Sequence, residues 1–333
     1  MTEVLRLVSS VQPGDMEIIG RSPALTQALE LVDRLAPTPL PILIVGATGT
    51  GKELFARRIH ARSGRPGPLV PVNCAALPRD MVESLLFGHR RGAFTGAVSD
   101  AAGFLEAAGR GTLYLDELSS LPFEAQGKLL RALEAQEVFR LGETHARTVD
   151  LRVVASGPED LSDRVRAGTF RLDLYQRIAG VVLALLPLRQ RPEDLLPLAK
   201  HFASLHGESL APGVIGVLRG YRWPGNVREL RAVVERASFL TEDGMIAADA
   251  LVRAIELGAP SGMQLEPDSP AVGSSKHRAQ LLAFCHAHGY KASGIALALG
   301  LGLSTLYRHL QAAGISLRAL RNSHVFSENS RED

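Results

Sequence analysis

A glycine-rich segment near the start of the chain has the composition of a phosphate-binding loop. Residues 46–53 read Gly-Ala-Thr-Gly-Thr-Gly-Lys-Glu, follow the apolar run 41–45 and open a helical segment. Glycines let backbone N–H groups turn inward around phosphate oxygens, and the helix N-terminus adds partial positive charge. This spacing is that of a P-loop, whose lysine reaches the β- and γ-phosphates. We predict a nucleotide site made by Gly46, Thr48, Gly49, Thr50, Gly51, Lys52 and Glu53.

Two adjacent acidic residues supply the second candidate group. Residues 112–115 are apolar and end in Asp116 and Glu117, about 65 residues after Lys52. Asp116 could hold Mg²⁺, directly or through water, and Glu117 could polarise a water that attacks the γ-phosphate. A strand ending in two acids is weak evidence alone, because an exposed turn explains it equally well. Downstream of a P-loop lysine it predicts ATP hydrolysis with Mg²⁺, although Glu53 replaces the usual Ser or Thr and the Mg²⁺ shell must be completed otherwise.

Strands and helices that could position these groups alternate along the chain. Helical segments such as 53–62 and 124–134 separate apolar runs typical of buried parallel strands, which occupy residues 41–45, 69–72, 112–115, 151–155 and 181–185. Such alternation predicts a parallel sheet covered on both faces. After Leu188 we expect no further strands, because residues 192–206 and 227–240 have helical patterns. The body is therefore predicted to be an α/β domain followed by a small helical subdomain.

Composition limits the protein class. The 333 residues suggest about two domains, and 46% hydrophobic with 22% charged residues is typical of a soluble globular protein. No apolar run is long enough for a transmembrane helix, and no secretory signal is visible. The two cysteines, Cys74 and Cys285, cannot form a disulfide framework or a Cys-rich zinc site, which suits a reducing cytoplasm.

A third motif lies between the glycine-rich and the acidic segments. Residues 92–97 read Gly92-Ala93-Phe94-Thr95-Gly96-Ala97 and follow Leu86-Phe87-Gly88-His89. The hexapeptide resembles the GAFTGA signature of the sigma-54-dependent transcriptional activators, which are bacterial enhancer-binding AAA+ ATPases. The resemblance extends over roughly residues 17–320. It implies that these six residues form a surface loop that contacts sigma-54, with Phe94 and Thr95 at its tip; a buried Gly-Ala turn is the alternative.

The same resemblance implies roles for further residues. Asn73 is similar to the switch residue that holds the acidic Glu117 until ATP is sensed, and Arg228, in the segment 223–230, to the sensor II arginine that touches ATP. Arg171 and Arg177 match the arginine fingers that reach the γ-phosphate of a neighbouring subunit. Fingers acting between subunits require an oligomer, and the resemblance implies a hexameric ring.

Several positions depart from the family pattern. Pro158 stands where the family has the sensor I Asn, and Gly157 stands where it has Thr. Ala47 replaces a Glu, and Leu85 replaces an acidic residue. These changes leave the phosphate-binding residues intact but bear on the hydrolysis rate. Two hypotheses follow: an activator that uses ATP hydrolysis, and a DNA-binding regulator whose weakened ATPase mainly oligomerises. A third is an AAA+ remodeller outside transcription.

The C-terminal segment has the pattern of a helix-turn-helix. Helical patterns at 277–288, 292–299 and 304–313 surround a turn at Gly300-Leu301-Gly302 and resemble the Fis-type DNA-binding domain of the same activators. A recognition helix contacts base edges through its N-terminal residues, which leads to the predicted DNA contacts Ser304, Thr305, Tyr307, Arg308 and His309. Leu303 replaces a basic residue common in the family, and a helical dimerisation bundle is the alternative. Residues 276–322 carry six Lys or Arg and no acidic residue, so the chain's mild net charge of +2 hides a basic C-terminal module.

These observations predict a domain organisation and a set of partners. The predicted segments are an extension (1–16), an α/β subdomain (17–188), a helical lid (189–255), a linker (256–275), a helix-turn-helix domain (276–322) and a tail (323–333). The expected cofactors are ATP and Mg²⁺, and the expected partners are the sigma-54 RNA polymerase holoenzyme, double-stranded DNA and further copies of the chain. Because the family normally carries an N-terminal regulatory domain that we do not find here, we expect control by a partner protein, by expression level, or constitutive activity.

Overall fold

The computed structural model describes residues 18–241 and 243–258, together with residues 281, 282, 285, 295, 306, 310 and 315–317. A five-stranded sheet whose strands are all parallel forms the first of two compact units. Its strands are β1 (Ile42–Val45), β2 (Leu69–Asn73), β5 (Thr112–Asp116), β8 (Arg152–Gly157) and β9 (Val181–Ala184), in the spatial order β2-β5-β8-β1-β9. Each predicted apolar run coincides with one strand to within two residues, so the α/β prediction is confirmed.

Helices cover both faces of this sheet. On one face, α1 (Pro23–Leu35) and α2 (Lys52–Arg62) pack with Ile42, Tyr114 and Val154. On the other face, Leu113 and Leu115 pack with the remaining helices of this unit. Neighbouring residues of β5 therefore enter opposite cores, as the two-residue period of a strand requires. The helices of the second face and its surroundings are α3 (Val82–Phe87), α4 (Phe104–Ala107), α5 (Phe123–Ala135), α6 (Leu161–Arg166) and α7 (Leu172–Ile178).

Two short antiparallel ladders lie outside the main sheet. The first joins β3 (Gly88–His89) to β4 (Ala101–Ala102) and closes the base of the connection 90–100. The second joins β6 (Glu137–Val138) to β7 (Arg147–Thr148). Backbone bonds from Leu141 N to Gly88 O (2.9 Å) and from Arg90 N to Leu141 O (3.0 Å) hold the first ladder to the segment that follows β6.

The second unit is mostly helical. It contains residues 195–224 and the described residues from 229 onward, whereas residues 225–228 belong to the first unit. Its core includes Trp223, whose indole N–H donates to Leu218 O (2.8 Å) and whose ring meets Tyr221 edge-to-face. Its helices are α8 (Leu195–Ser204), α9 (Val214–Gly220), α11 (Ala248–Gly258) and, from residue 229 onward, α10 (Asn226–Phe239).

Two sequence expectations for this unit differ from the structure. The expectation that strands stop after Leu188 is wrong, because β10 (Ser209–Leu210) pairs in parallel with β11 (Met245–Ile246). Two-residue strands are too short to leave a periodic pattern. Helix α11 continues to Gly258, three residues into the segment 256–275 predicted as a linker, since its buried stripe extends to Ile255. Within the described residues, no helix is both long and apolar enough to cross a bilayer.

Described residues near the C-terminus form a small apolar cluster of their own. Leu281, Cys285, Leu306 and Leu310 are buried together with Ile295 and Ile315. The predicted DNA-contact residues Ser304, Thr305, Tyr307, Arg308 and His309 lie outside the described residues.

Candidate functional site

The glycine-rich segment connects β1 to α2 and places its lysine at the centre of the site. Gly51 starts α2 with a left-handed backbone (φ +102°), a conformation that glycine adopts without strain. Lys52 is only 7% exposed, and its Nζ donates to Gly46 O at 2.8 Å. A buried ammonium needs compensating partners, and the Glu117 carboxylate supplies one at 3.4 Å from Nζ. The structure therefore joins the two motifs that the sequence placed about 65 residues apart.

Gly49 is the tightest point of this loop. Its φ is +80°, and an added Cβ would lie 2.2 Å from Gly225 O and 3.2 Å from the Cβ of Arg228. The Cβ of Arg228, the predicted sensor II arginine, thus lies beside the backbone of the glycine-rich loop. Gly49 O also accepts from Val227 N at 2.9 Å, so the first turn of α10 is bonded directly to the glycine-rich loop.

Two buried side chains that the sequence did not single out hold the loop from outside. Asn226 donates through Nδ2 to Thr48 O (2.9 Å) and accepts from Leu188 N (2.8 Å). Arg191 donates to Thr50 O (3.0 Å) and is only 6% exposed. Burial and loss of hydration lower the pKa of Arg191, but the guanidinium of an arginine stays charged. The sequence did not reveal either residue, because the backbone groups that they bond here are distant in sequence.

Asp116 lies at the carboxyl end of β5 and is oriented by two hydroxyls. Its Oδ1 accepts from Tyr114 Oη at 2.9 Å and from the Ser156 hydroxyl. Burial, followed by the charge of Asp116, raises the pKa of the Tyr114 phenol. The same two causes, with Glu117 added, raise the pKa of the Cys74 thiol. Tyr114 is therefore a neutral hydrogen-bond donor to the carboxylate across the physiological pH range.

Asn73 lies next to this carboxylate. It ends β2 and is registered opposite Asp116 on β5. Its side-chain oxygen accepts from Ala75 N at 3.0 Å, which caps the short helical turn Cys74–Ala76. The structure therefore brings the predicted switch residue to the acidic pair, with its amide oxygen engaged in its own turn.

The Glu53 side chain forms an ion pair with Arg57 on α2. Its Oε1 accepts from the Arg57 guanidinium at 2.6 and 3.1 Å along the exposed face of α2. The side chain that occupies the usual Ser or Thr position is thus held in an ion pair. The Thr50 hydroxyl is also hydrogen-bonded within the loop, since its Oγ1 donates to Ala47 O at 2.8 Å.

The site fits a nucleoside triphosphate. It combines a buried cation, a left-handed glycine at a helix N-terminus, and open space around Gly51, where an added Cβ would meet nothing within 4 Å. Among the described residues, no group of three His, Cys, Asp or Glu side chains could cage a metal. Mg²⁺ held by one or two carboxylates and by phosphates needs no such cage, so Asp116 fits that ion.

The loop 90–100 presents an aromatic side chain to solvent. Phe94 is 41% exposed and meets the His89 ring edge-to-face, with centroids 5.0 Å apart. Gly92 and Gly96 have φ of +81° and +97°, and Gly92 N donates to Ala97 O at 2.8 Å. Thr95 is exposed, Ala93 is partly buried and Ala97 is buried. The surface part of the predicted contact loop is therefore centred on Phe94 and Thr95, and the expectation of a surface position fails for Ala97, whose amide and carbonyl close the turn.

The two predicted arginine fingers contact α5 and α7. Arg171 pairs with Asp173 (2.7 Å) and lies over the Phe123 ring at 5.6 Å. Its hydrogen bond to Asp173 raises the pKa of Arg171 further. Arg177 donates to Leu133 O at 2.7 Å. Neither contact involves the glycine-rich loop of the same chain.

Comparisons with known proteins agree with this geometry. The profile of the sigma-54 interaction domain matches residues 18–184, and that of the AAA+ ATPase lid domain matches residues 189–267. The chain is 43% identical over 305 residues to the nitric oxide reductase transcription regulator NorR2 of Cupriavidus necator, which covers 86% of this chain and 56% of that protein. It is 39% identical over 333 residues to the DNA-binding transcriptional activator HyfR of Escherichia coli, covering 94% and 49%.

The chain is also similar to a solved structure. NtrX from Brucella abortus, crystallised in complex with ATP, superposes with a TM-score of 0.68 at 34% identity, covering 90% of this chain and 70% of that one. The chain spans about half the length of the curated relatives it matches.

Proposed function

The chain belongs to the family of sigma-54-dependent transcriptional activators, and we propose that it binds DNA and uses ATP hydrolysis to convert closed sigma-54 RNA polymerase complexes into open ones. The observation that carries the proposal is the contact of buried Lys52 with Glu117, on the same unit that exposes Phe94 in the loop 90–100. That arrangement combines a phosphate-binding site with an exposed aromatic side chain able to bind another protein.

Each part of the nucleotide site has a role in this proposal. The loop 46–52 holds the phosphates of ATP, and Asp116 together with those phosphates holds Mg²⁺, which neutralises their charge when bound. Glu117 orients and polarises the attacking water, and Arg228 contacts the nucleotide. Because Glu117 already lies against Lys52, the same ammonium links phosphate binding to release of this carboxylate. NtrX binds ATP in its crystals, which supports this assignment by analogy.

Oligomerisation completes the proposed site. Arg171 and Arg177 act on the γ-phosphate of a neighbouring subunit in a ring, which we take to be a hexamer. Arg171 must first leave Asp173, and that exchange is a step at which assembly controls turnover. Asn73 transmits nucleotide state from the edge of the sheet, and the loop 92–97 contacts sigma-54.

The C-terminal module binds double-stranded DNA in this proposal. Residues 276–322 form a Fis-type helix-turn-helix whose contacts include Ser304, Thr305, Tyr307, Arg308 and His309. The basic charge of this segment and the name of the relative HyfR, a DNA-binding activator, support the assignment. The protein acts in the bacterial cytoplasm, where the polymerase is.

A second candidate function follows from Gly157 and Pro158, which offer no side-chain hydrogen bond at the end of β8. In that case the chain is a DNA-binding regulator that oligomerises with little turnover. ATP hydrolysis measured against protein concentration separates the two. A cooperative rise supports the activator, and no turnover at any concentration, with DNA binding retained, supports the regulator.

A further inference from the structure

Ser156 occupies a position that the assigned motifs do not explain. It lies in β8, is fully buried, and its Oγ donates to Asp116 Oδ1. The same oxygen accepts from the backbone N–H of Glu117 at 3.2 Å. A serine hydroxyl has a single proton to donate, and Ser156 donates it to Asp116 while its oxygen accepts the N–H of Glu117. Ser156 is therefore bonded to both acidic residues.

Strand register explains why Ser156 reaches this pair. Tyr114 of β5 is registered with Val154 of β8, and Leu115 with Ala155. Continuing the ladder by one residue puts Asp116 beside Ser156. Since successive side chains alternate between the faces of a strand, residue 157 belongs to the opposite face. Gly157 and Pro158, where the family has Thr and Asn, supply no side-chain hydroxyl or amide group at the end of β8.

The two bonds constrain the two acids differently. Tyr114 Oη also donates to Asp116 Oδ1 (2.9 Å), so the carboxylate keeps a hydroxyl partner without Ser156. Glu117 has a left-handed backbone (φ +51°), which is strained for a residue with a side chain. The bond from its N–H to Ser156 helps hold that conformation, and with it the direction of the Glu117 side chain toward Lys52.

We propose that Ser156 is the positioning residue of the acidic pair and replaces the sensor I side chains missing at positions 157 and 158. The proposal rests on the proposed ATPase function. In this proposal Ser156 affects hydrolysis by orienting Asp116 and Glu117. Loss of partners that orient ligating or catalytic groups typically costs about 10–100-fold in activity.

The test compares Ser156→Ala with Tyr114→Phe and Ser156→Thr in the full chain. We expect Ser156→Ala to lower kcat for ATP about 10–100-fold, with binding of a fluorescent ATP analogue in EDTA changed by less than about threefold. Hydrogen exchange at the Glu117 amide should accelerate in Ser156→Ala and stay slow in Tyr114→Phe. In Tyr114→Phe we expect only the Mg²⁺ concentration that gives a half-maximal rate to rise. Ser156→Thr keeps the hydroxyl and should restore both rate and protection. Ser238→Ala, which removes a buried hydroxyl in α10, is the matched control and keeps the wild-type rate.

Two results overturn the proposal: a wild-type kcat in Ser156→Ala, or unchanged exchange at the Glu117 amide in that variant. The exchange measurement also separates this proposal from the wider one. A wild-type chain that hydrolyses no ATP contradicts the ATPase function, while exchange at Glu117 still decides whether Ser156 positions it.

Discussion

Lys52 shows how one residue combines structure and function. Its ammonium is buried, bonded to Gly46 O, and paired with Glu117. We expect Lys52→Ala to weaken ATP binding at least about tenfold, because a charged hydrogen bond to phosphate is lost. Binding of a fluorescent ATP analogue measures this effect. Lys128→Ala, which removes an exposed lysine paired with Glu83, is the control and should bind ATP normally.

Asp33 and Arg58 predict a pH dependence of stability. Bidentate hydrogen bonding by Arg58 (2.7 and 2.8 Å) lowers the pKa of the Asp33 carboxyl. Ionised Asp33 therefore stabilises the fold above its unfolded-state pKa, and the contribution is lost as the pH falls through its folded-state pKa. We expect Asp33→Asn to cost up to about 1 kcal/mol at pH 7, with the difference shrinking below about pH 4. Urea unfolding of both proteins at several pH values measures it, and a difference that grows on acidification would contradict it.

The sequence predicted Lys52, Asp116 and Glu117 because their signals are local. Gly, Lys and paired acids carry their chemistry within a few neighbouring residues. Ser156 was not identified, because its partners lie across a strand pairing whose register only the fold fixes. Asn226 was missed similarly, since it bonds the backbone of residues 48 and 188.

At the scale of elements, the loop 90–100 depends on two glycines. Gly92 and Gly96 have positive φ, so alanine at either position costs about 1–2 kcal/mol of backbone strain. We expect Gly96→Ala to reduce promoter opening strongly while ATP hydrolysis continues, because only the Phe94 turn is disturbed. Gly64→Ala is the matched control, since Gly64 has φ +70° and equally open surroundings. Equal effects of the two variants on promoter opening would show that general strain, not the loop, is responsible.

Helix α10 predicts a coupling between its start and nucleotide binding. Asn226→Ala leaves Leu188 N and Thr48 O without their side-chain partner, and the unsatisfied buried N–H of Leu188 costs about 1–3 kcal/mol. We expect lower thermal stability and weaker ATP binding together. Asn226→Asp keeps the acceptor for Leu188 N and should recover part of the stability. Wild-type ATP affinity in Asn226→Ala would contradict the coupling.

Element boundaries followed from the sequence where periodicity is long. The five strands of the sheet and helices α2, α5 and α10 were predicted to within about two residues, since each is an apolar run or an amphipathic stripe. The short β10–β11 ladder was not, because two residues carry no period. The end of α11 at Gly258 also lies past the predicted boundary, since Pro and Gly composition locates a linker only coarsely.

Assembly of the chain into a ring should be detectable as ATP hydrolysis in mixtures of two inactive variants. Lys52→Ala lacks a working phosphate site but keeps Arg171, and Arg171→Ala has the reverse defect. In the proposed ring Arg171 acts between subunits, so a mixed ring would contain some complete sites, and we expect ATP hydrolysis to reappear on mixing. Steady-state turnover across mixing ratios measures this. Mixtures as inactive as their components would contradict an arginine acting in trans.

In the proposed function, ATP hydrolysis opens a sigma-54 promoter through the loop around Phe94. The measurement is open-complex formation with sigma-54 holoenzyme, promoter DNA and ATP, compared between wild type, Lys52→Ala and Thr95→Ala. We predict single-stranded promoter DNA with wild type only, while Thr95→Ala still hydrolyses ATP. Promoter opening that persists in Lys52→Ala or in Thr95→Ala would show that the protein opens promoters without ATP binding or without this loop, which the proposed function excludes.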